Sequence, residues 1–132
     1  MKNVVEILKN APDYIGSDGR SEEVVHQSEI DCKTEFADDY KDYLREIGLA
    51  SFDGHELTGI THSDRLDVVS VTEKQHELNR IIPADWYVIE EAGIDGIVIW
   101  QNRKGEIFLA SAGKPEKIAD SLADYITNQI SC

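Results

Sequence analysis

Phe36-Ala37-Asp38-Asp39-Tyr40-Lys41-Asp42-Tyr43-Leu44-Arg45-Glu46-Ile47-Gly48 carries two patterns at once. Phe36, Tyr40, Tyr43, Leu44 and Ile47 recur at i, i+4, i+7, i+8 and i+11, which stacks them on one face of a helix. Asp38, Asp39, Asp42 and Glu46 fall on the opposite face, where water solvates them. Gly48 follows the last apolar position, the place where a glycine ends a helix. Asp53-Gly54-His55-Glu56-Leu57-Thr58-Gly59 comes next and reads as a turn opening into a short strand. This helix, its stop and the strand give the remaining elements a surface to pack on.

Upstream, Val4, Ile7, Leu8 and Ala11 have helical spacing, and Pro12 ends that segment. Residues 13–15 read as a short extended piece. Gly16-Ser17-Asp18-Gly19 is a loop, because no Lys-Ser/Thr follows to make it a phosphate cradle. Ser21 caps a second helix, with Glu22 and Glu23 suited to its positive N-terminal end. Val25, Ser28, Glu29 and Cys32 share a face of it, Cys32 as a small core residue.

Downstream of Gly59, residues 66–70 read either as a strand or as the lead-in to a helix. Thr72 is a candidate cap for residues 73–80, since β-branched Val68, Val69 and Val71 favour extended chain before it. After Pro83 the period changes to two. Residues 87–91 read as a strand, residues 93–96 as a turn, and residues 97–101 as a strand buried on both faces. Asn102-Arg103-Lys104-Gly105 makes a hairpin loop, and residues 106–110 pair back. Pro115 is placed to open a last helix bearing Ile118, Leu122, Tyr125, Ile126 and Gln129 on one side. Hairpin-length links imply an antiparallel sheet, so the expected class is α+β, with N-terminal helices and a C-terminal helix around that sheet. Residues 1–132 suit one domain, and there is no internal repeat or low-complexity tract.

Charge narrows the function. Twenty-six Asp and Glu oppose thirteen Lys and Arg, a net charge of −13. Such a surface repels nucleic acid phosphates and anionic lipid and attracts basic partners. The apolar run at the N-terminus is broken by charges, so it is neither signal peptide nor membrane span, and a cytoplasmic location is expected. Cys32 and Cys132 match neither a disulfide framework nor a zinc ligand set. No nucleophile elbow, phosphate-binding loop or His-Glu-x-x-His motif is present. His55, His62, Asp64 and Asp67 resemble metal ligands on paper, but chance polar residues in a loop account for them better. His26 and His76 fall on polar helix faces and read as solvated. The sequence therefore implies no enzyme, cofactor or metal.

In their order along the chain, these elements resemble the SUKH superfamily, the Smi/Knr-type fold, and within it the bacterial YobK-like immunity proteins. Val25, Glu29 and Cys32 stand in the first family helix, and Phe36, Asp39, Tyr40, Tyr43 and Leu44 in the second. The Glu-Leu-x-Gly strand appears as Glu56-Leu57-Thr58-Gly59. Ile82-Pro83, Gly93-Ile94-Asp95-Gly96 and the 97–110 hairpin follow the family layout. Ala37 departs from the proline usual at its position, and Ile47-Gly48-Leu49 from an Asn-Gly pair. The resemblance spans residues 21–126 and implies a small cytoplasmic protein that binds and neutralises a cognate toxin of a polymorphic or contact-dependent system. Acidity suits a toxin with a basic surface, such as a nuclease. The rival reading is a non-catalytic regulatory interaction module of the same fold. If a toxin binds, the exposed acids Asp38, Asp39, Asp42 and Glu46, with Asp53 and Glu56 in the adjoining turn and strand, are the expected contact residues.

Overall fold

The computed structural model describes residues 3–92, 96–111 and 114–130. Among these lie five helices and two antiparallel sheets, an α+β fold. The elements run α1 (Val4–Lys9), β1 (Ile15–Gly16), α2 (Glu22–Cys32), α3 (Asp38–Glu46), β2 (Ala50–Phe52), β3 (His55–Glu56), α4 (Val68–Leu78), β4 (Tyr87–Glu91), β5 (Val98–Gln101), β6 (Ile107–Ala110), β7 (Glu116–Ala119) and α5 (Leu122–Ile130). The expected turn at 93–96 falls largely outside the described residues, as does Cys132.

The organising stretch behaves as its pattern requires, with its helix starting at Asp38. Phe36, Tyr40, Tyr43, Leu44 and Ile47 are all buried. Gly48 adopts φ +81° and donates its N–H to Tyr43 O at 3.0 Å, the left-handed stop that glycine makes without steric cost. Sheet β1-β2-β3 is small, and Leu57 just after it bridges to Glu90 of the four-stranded sheet β4-β5-β6-β7. Gly59 has a physical reason of its own. A Cβ there would lie 2.0 Å from Gly48 O, so only glycine lets the two backbones meet.

Strands β4 and β5 of the four-stranded sheet are buried on both faces. Tyr87, Ile89, Ile99 and Ile107 join the α3 stripe and Leu122, Tyr125 and Ile126 in the main core. Val88, Val98 and Trp100 form a second cluster with Val71 and Ile82 beneath α4. A bulge between Val88 and Glu90 sets two residues of β4 against Ile99.

Two expected boundaries are corrected. Helix α4 begins at Val68, capped by Asp67, whose Oδ2 accepts from Ser70 N at 3.4 Å; Thr72 lies inside it. Burial of Val68, Val71 and Thr72 overrides the preference of β-branched residues for strands. Pro115 opens no helix. Residues Glu116–Ala119 instead pair with β6 as an edge strand, where a proline just before the ladder leaves no bond unmade. The final helix starts after Ser121, whose Oγ accepts from Asp124 N at 3.0 Å. Ile118 thus belongs to the strand, while Leu122, Tyr125 and Ile126 keep their expected face.

Leu44 is fully buried, so Leu44→Ala leaves a cavity in the main core. Such a change costs roughly 2–5 kcal/mol. Thermal and denaturant melts measure it, and a variant as stable as the parent would show that this face of α3 is not core.

Candidate functional site

Among the six acids expected at a binding surface, the structure separates one from the rest. Asp39 is not on the wet face. Its Oδ2 accepts from Leu122 N at 2.7 Å and its Oδ1 from Gln101 Nε2 at 3.0 Å. Gln101 Nε2 also donates to Gly105 O, while its Oε1 accepts from the Tyr87 hydroxyl at 2.7 Å; that hydroxyl in turn accepts from Ala37 N at 2.8 Å. Burial pushes the Asp39 carboxyl above the ordinary aspartate value, partly offset by the Leu122 and Gln101 donors. A residue tied this way holds α3, β5 and α5 together, and a partner would have to compete with those bonds for its carboxylate.

Asp38, Asp42 and Glu46 remain exposed on α3. Asp38 lies 3.8 Å from Lys41 Nζ, and Asp42 lies 3.2 Å from Arg45, which also pairs with Glu22 at the start of α2. Asp53 is exposed in the β2–β3 turn at φ +46°. Glu56 is exposed and held by both terminal nitrogens of Arg65, at 2.8 and 3.1 Å, which lowers its pKa. Thus α3 presents three acids together, and the two from the 53–59 stretch stand on a separate element.

Three of the residues drawn as metal ligands have separate duties. His55 Nδ1 lies 2.9 Å from Glu90, Asp67 caps α4, and Asp64 lies 3.4 Å from the Ser70 hydroxyl. No cluster of three or more His, Cys, Asp or Glu among the described residues is arranged to hold a metal ion. Glu90 itself is buried, taking a hydrogen bond from the Tyr125 hydroxyl at 2.6 Å. Its place in a buried strand gave no sign of this, since only the bulge turns it toward Tyr125.

A groove of about 480 Å³ runs between the end of α2 and α4. Cys32, Val69, Ile82 and Ala84 supply its apolar lining. Cys32 is half-buried, and burial pushes its thiol up to about 12, helped by the charges of Asp67 and Asp31. It is therefore a thiol at neutral pH, not a thiolate nucleophile. His76, expected in solvent, is half-buried: its Nε2 lies 2.8 Å from Trp86 O and its ring 4.8 Å from that of Trp100. His26 is exposed, as its polar helix face implied.

With this geometry in place, the family model SUKH_5, described as "SMI1-KNR4 cell-wall", matches residues 1–131. The chain belongs to the SUKH family. The match extends beyond the 21–126 segment that carries the sequence resemblance, and takes in α1 and the whole of α5. A crystal structure of a protein from Pseudomonas syringae pv. tomato shares the fold, with a TM-score of 0.76 and 16% identity over 97% of this chain and 96% of that one. No curated protein matches the sequence. No helix among the described residues is long and apolar enough to cross a membrane.

Two measurements test this account of the acids. Asp39→Asn keeps the shape but turns an amide N–H toward one of two donors, leaving a buried mismatch that costs about 1–3 kcal/mol in a denaturant melt. Parental stability would show the network is dispensable. In an NMR titration of side-chain carboxyls, Asp39 titrates above the ordinary 3.8 and Glu56 below the ordinary 4.5. The linkage signs are opposite. Stability from the raised Asp39 is complete below its unfolded pKa and lost as pH rises through its folded pKa. Stability from the lowered Glu56 is present above its unfolded pKa and lost as pH falls through its folded pKa. A third expectation concerns Cys32: native-state thiol labelling at neutral pH proceeds far more slowly than in denaturant, and equal rates would refute its burial.

Proposed function

We propose that the chain is an immunity protein that binds a cognate toxin through a basic toxin surface and neutralises it by covering its active site or substrate path. The observation that carries this reading is membership of the SUKH family across residues 1–131, which fits immunity proteins. A SUKH domain is generally non-catalytic, so binding is the activity to account for. The net charge of −13 adds a physical cause. A nuclease is basic where it meets phosphate, and an acidic protein occupies such a surface as a polyanion would, arriving quickly by electrostatic steering. The two proteins meet in the cytoplasm, where a nuclease does its damage.

On α3 the contact acids are Asp38, Asp42 and Glu46, with Asp53 and Glu56 as outlying candidates; Asp39 leaves the set because its carboxylate serves the fold. The second reading is a non-catalytic regulatory protein-interaction module of the same fold, with which the matched family's description as SMI1-KNR4 cell-wall is in keeping. Gene order separates the two, since an immunity gene lies directly downstream of a large toxin gene.

The decisive experiment is co-purification and kinetic binding with the C-terminal domain of that toxin. An Asp38→Lys, Asp42→Lys, Glu46→Lys variant with unchanged circular dichroism is expected to associate roughly tenfold more slowly at low salt. The parental on-rate is expected to fall as salt rises, because screening acts over ~8–10 Å near physiological ionic strength. Parental affinity and on-rate in the variant would remove the α3 face from the interface, and no toxin binding by the parent would refute the immunity reading.

A further inference from the structure

The groove between α2 and α4 has features that the fold alone does not need. Helix α4 turns Val69, Thr72, Glu73, His76 and Glu77 toward it, a stripe at helical spacing. Four carboxylates, Asp31, Glu73, Glu77 and Asp85, line it against two cations, Lys33 and Arg80. Glu73 and Glu77 are exposed and make no ion pair among the described residues, whereas Asp38 and Asp42 on α3 stand beside Lys41 and Arg45. At the apolar lining, the nearby charges of Asp67 and of the groove residue Asp31 add to burial in raising the Cys32 thiol.

Exposed apolar side chains stand beside groove residues in the sequence. Five large ones are left exposed among the described residues: Ile15, Val24, Ile30, Leu78 and Ile81. Three of them adjoin groove residues in the chain. Ile30 precedes Asp31, Leu78 follows Glu77, and Ile81 stands between Arg80 and Ile82, at 55%, 70% and 64% exposure. An apolar channel lined by four carboxylates against two cations, with exposed aliphatics next in sequence to its lining residues, is the surface expected of a recognition groove.

We infer that this groove docks a basic amphipathic segment of the partner protein, its aliphatic side chains on Cys32, Val69, Ile82 and Ala84 and its Lys or Arg side chains against Glu73, Glu77 and Asp85. The inference rests on the reading of the chain as a binder of a basic protein and assigns that binding a second contact surface besides α3. Apolar contact supplies affinity here, and the carboxylates set the direction and sign of the segment that fits.

The test uses the full chain and three synthetic probes: a helical peptide of Leu and Lys, its Leu and Glu counterpart, and oligolysine of equal charge. The Leu/Lys peptide is expected to bind saturably, and its NMR amide shift changes are expected to fall on residues 31–33, 69–80 and 82–85. Glu73→Lys with Glu77→Lys, both at exposed helix positions, is expected to weaken it roughly tenfold or more, and Glu73→Gln with Glu77→Gln to weaken it less. Oligolysine is expected to bind far more weakly and the Leu/Glu peptide not at all. The α3 triple-lysine variant is expected to leave the shift map in place. Absence of saturable Leu/Lys binding, a shift map centred on α3, or equal binding of oligolysine overturns the groove assignment. Those results leave the immunity reading to stand or fall on toxin co-purification, so the two failures are distinct.

Discussion

Burying two phenols on one helix face commits the fold to a partner for each hydroxyl. Tyr40 and Tyr43 are both fully buried, and burial pushes both well above the usual tyrosine value, so each remains a neutral donor. Thr58 answers both. Its hydroxyl lies 2.8 Å from that of Tyr40, and its carbonyl accepts from Tyr43 at 2.9 Å. The same residue reaches the large sheet, donating its hydroxyl to Val88 O and its N–H to Ile89 O, each at 2.8 Å. Tyr43 completes its own valence by accepting from Ala50 N at 2.9 Å. One threonine therefore sets the register of α3, the small sheet and β4 relative to one another. The backbone contact between Gly48 and Gly59 is what allows Thr58 to stand that close to the end of α3.

A second tie runs from the other end of α3. Asp39 collects the first amide of α5 and the side chain of Gln101, and Gln101 collects Tyr87. Every buried polar atom on that path has a partner, which is the condition under which such a network rigidifies rather than destabilises. Between the Thr58 hub and the Asp39 path, α3 is fixed at both ends to strands distant in sequence. Its amphipathic stripe then needs only to fill space.

This explains which parts of the molecule the sequence made legible. Periodicity located α3, its glycine stop and the β4–β6 meander, because those signals reflect burial along a single element. Asp39 was misplaced for the converse reason. Its position on the helical wheel is polar, but α5 and β5 arrive over that position from far along the chain, and no local pattern announces them. The start of α4 depended likewise on a tertiary surface for Val68 and Val71. Pro115 and Ile118 fitted the pattern of the last helix, and pairing with β6 overrode it. At the candidate surfaces, the exposed acids of α3 were readable from the wheel. The groove was not, since it required knowing that α2 and α4 lie side by side and that Glu73 and Glu77 make no ion pair among the described residues.

The arrangement of α2 relates the two proposed contact surfaces. Its first turn meets α3 through Glu22 and Arg45, and its last turn meets α4 across the groove at Asp31 and Cys32. Helix α2 thus lies between the acidic face and the groove, and its own outer residues include exposed Val24, His26 and Ile30. An 11-residue helix spans about 16 Å, at a rise of ~1.5 Å per residue. A stable protein interface covers roughly 800 Å² on each partner, a patch wider than that span. A toxin seated on either proposed surface would have the breadth to extend over α2 toward the other. On that proposal, steering by the α3 acids and anchoring in the groove would be successive parts of one encounter, the first acting at a distance through charge and the second on contact through apolar burial.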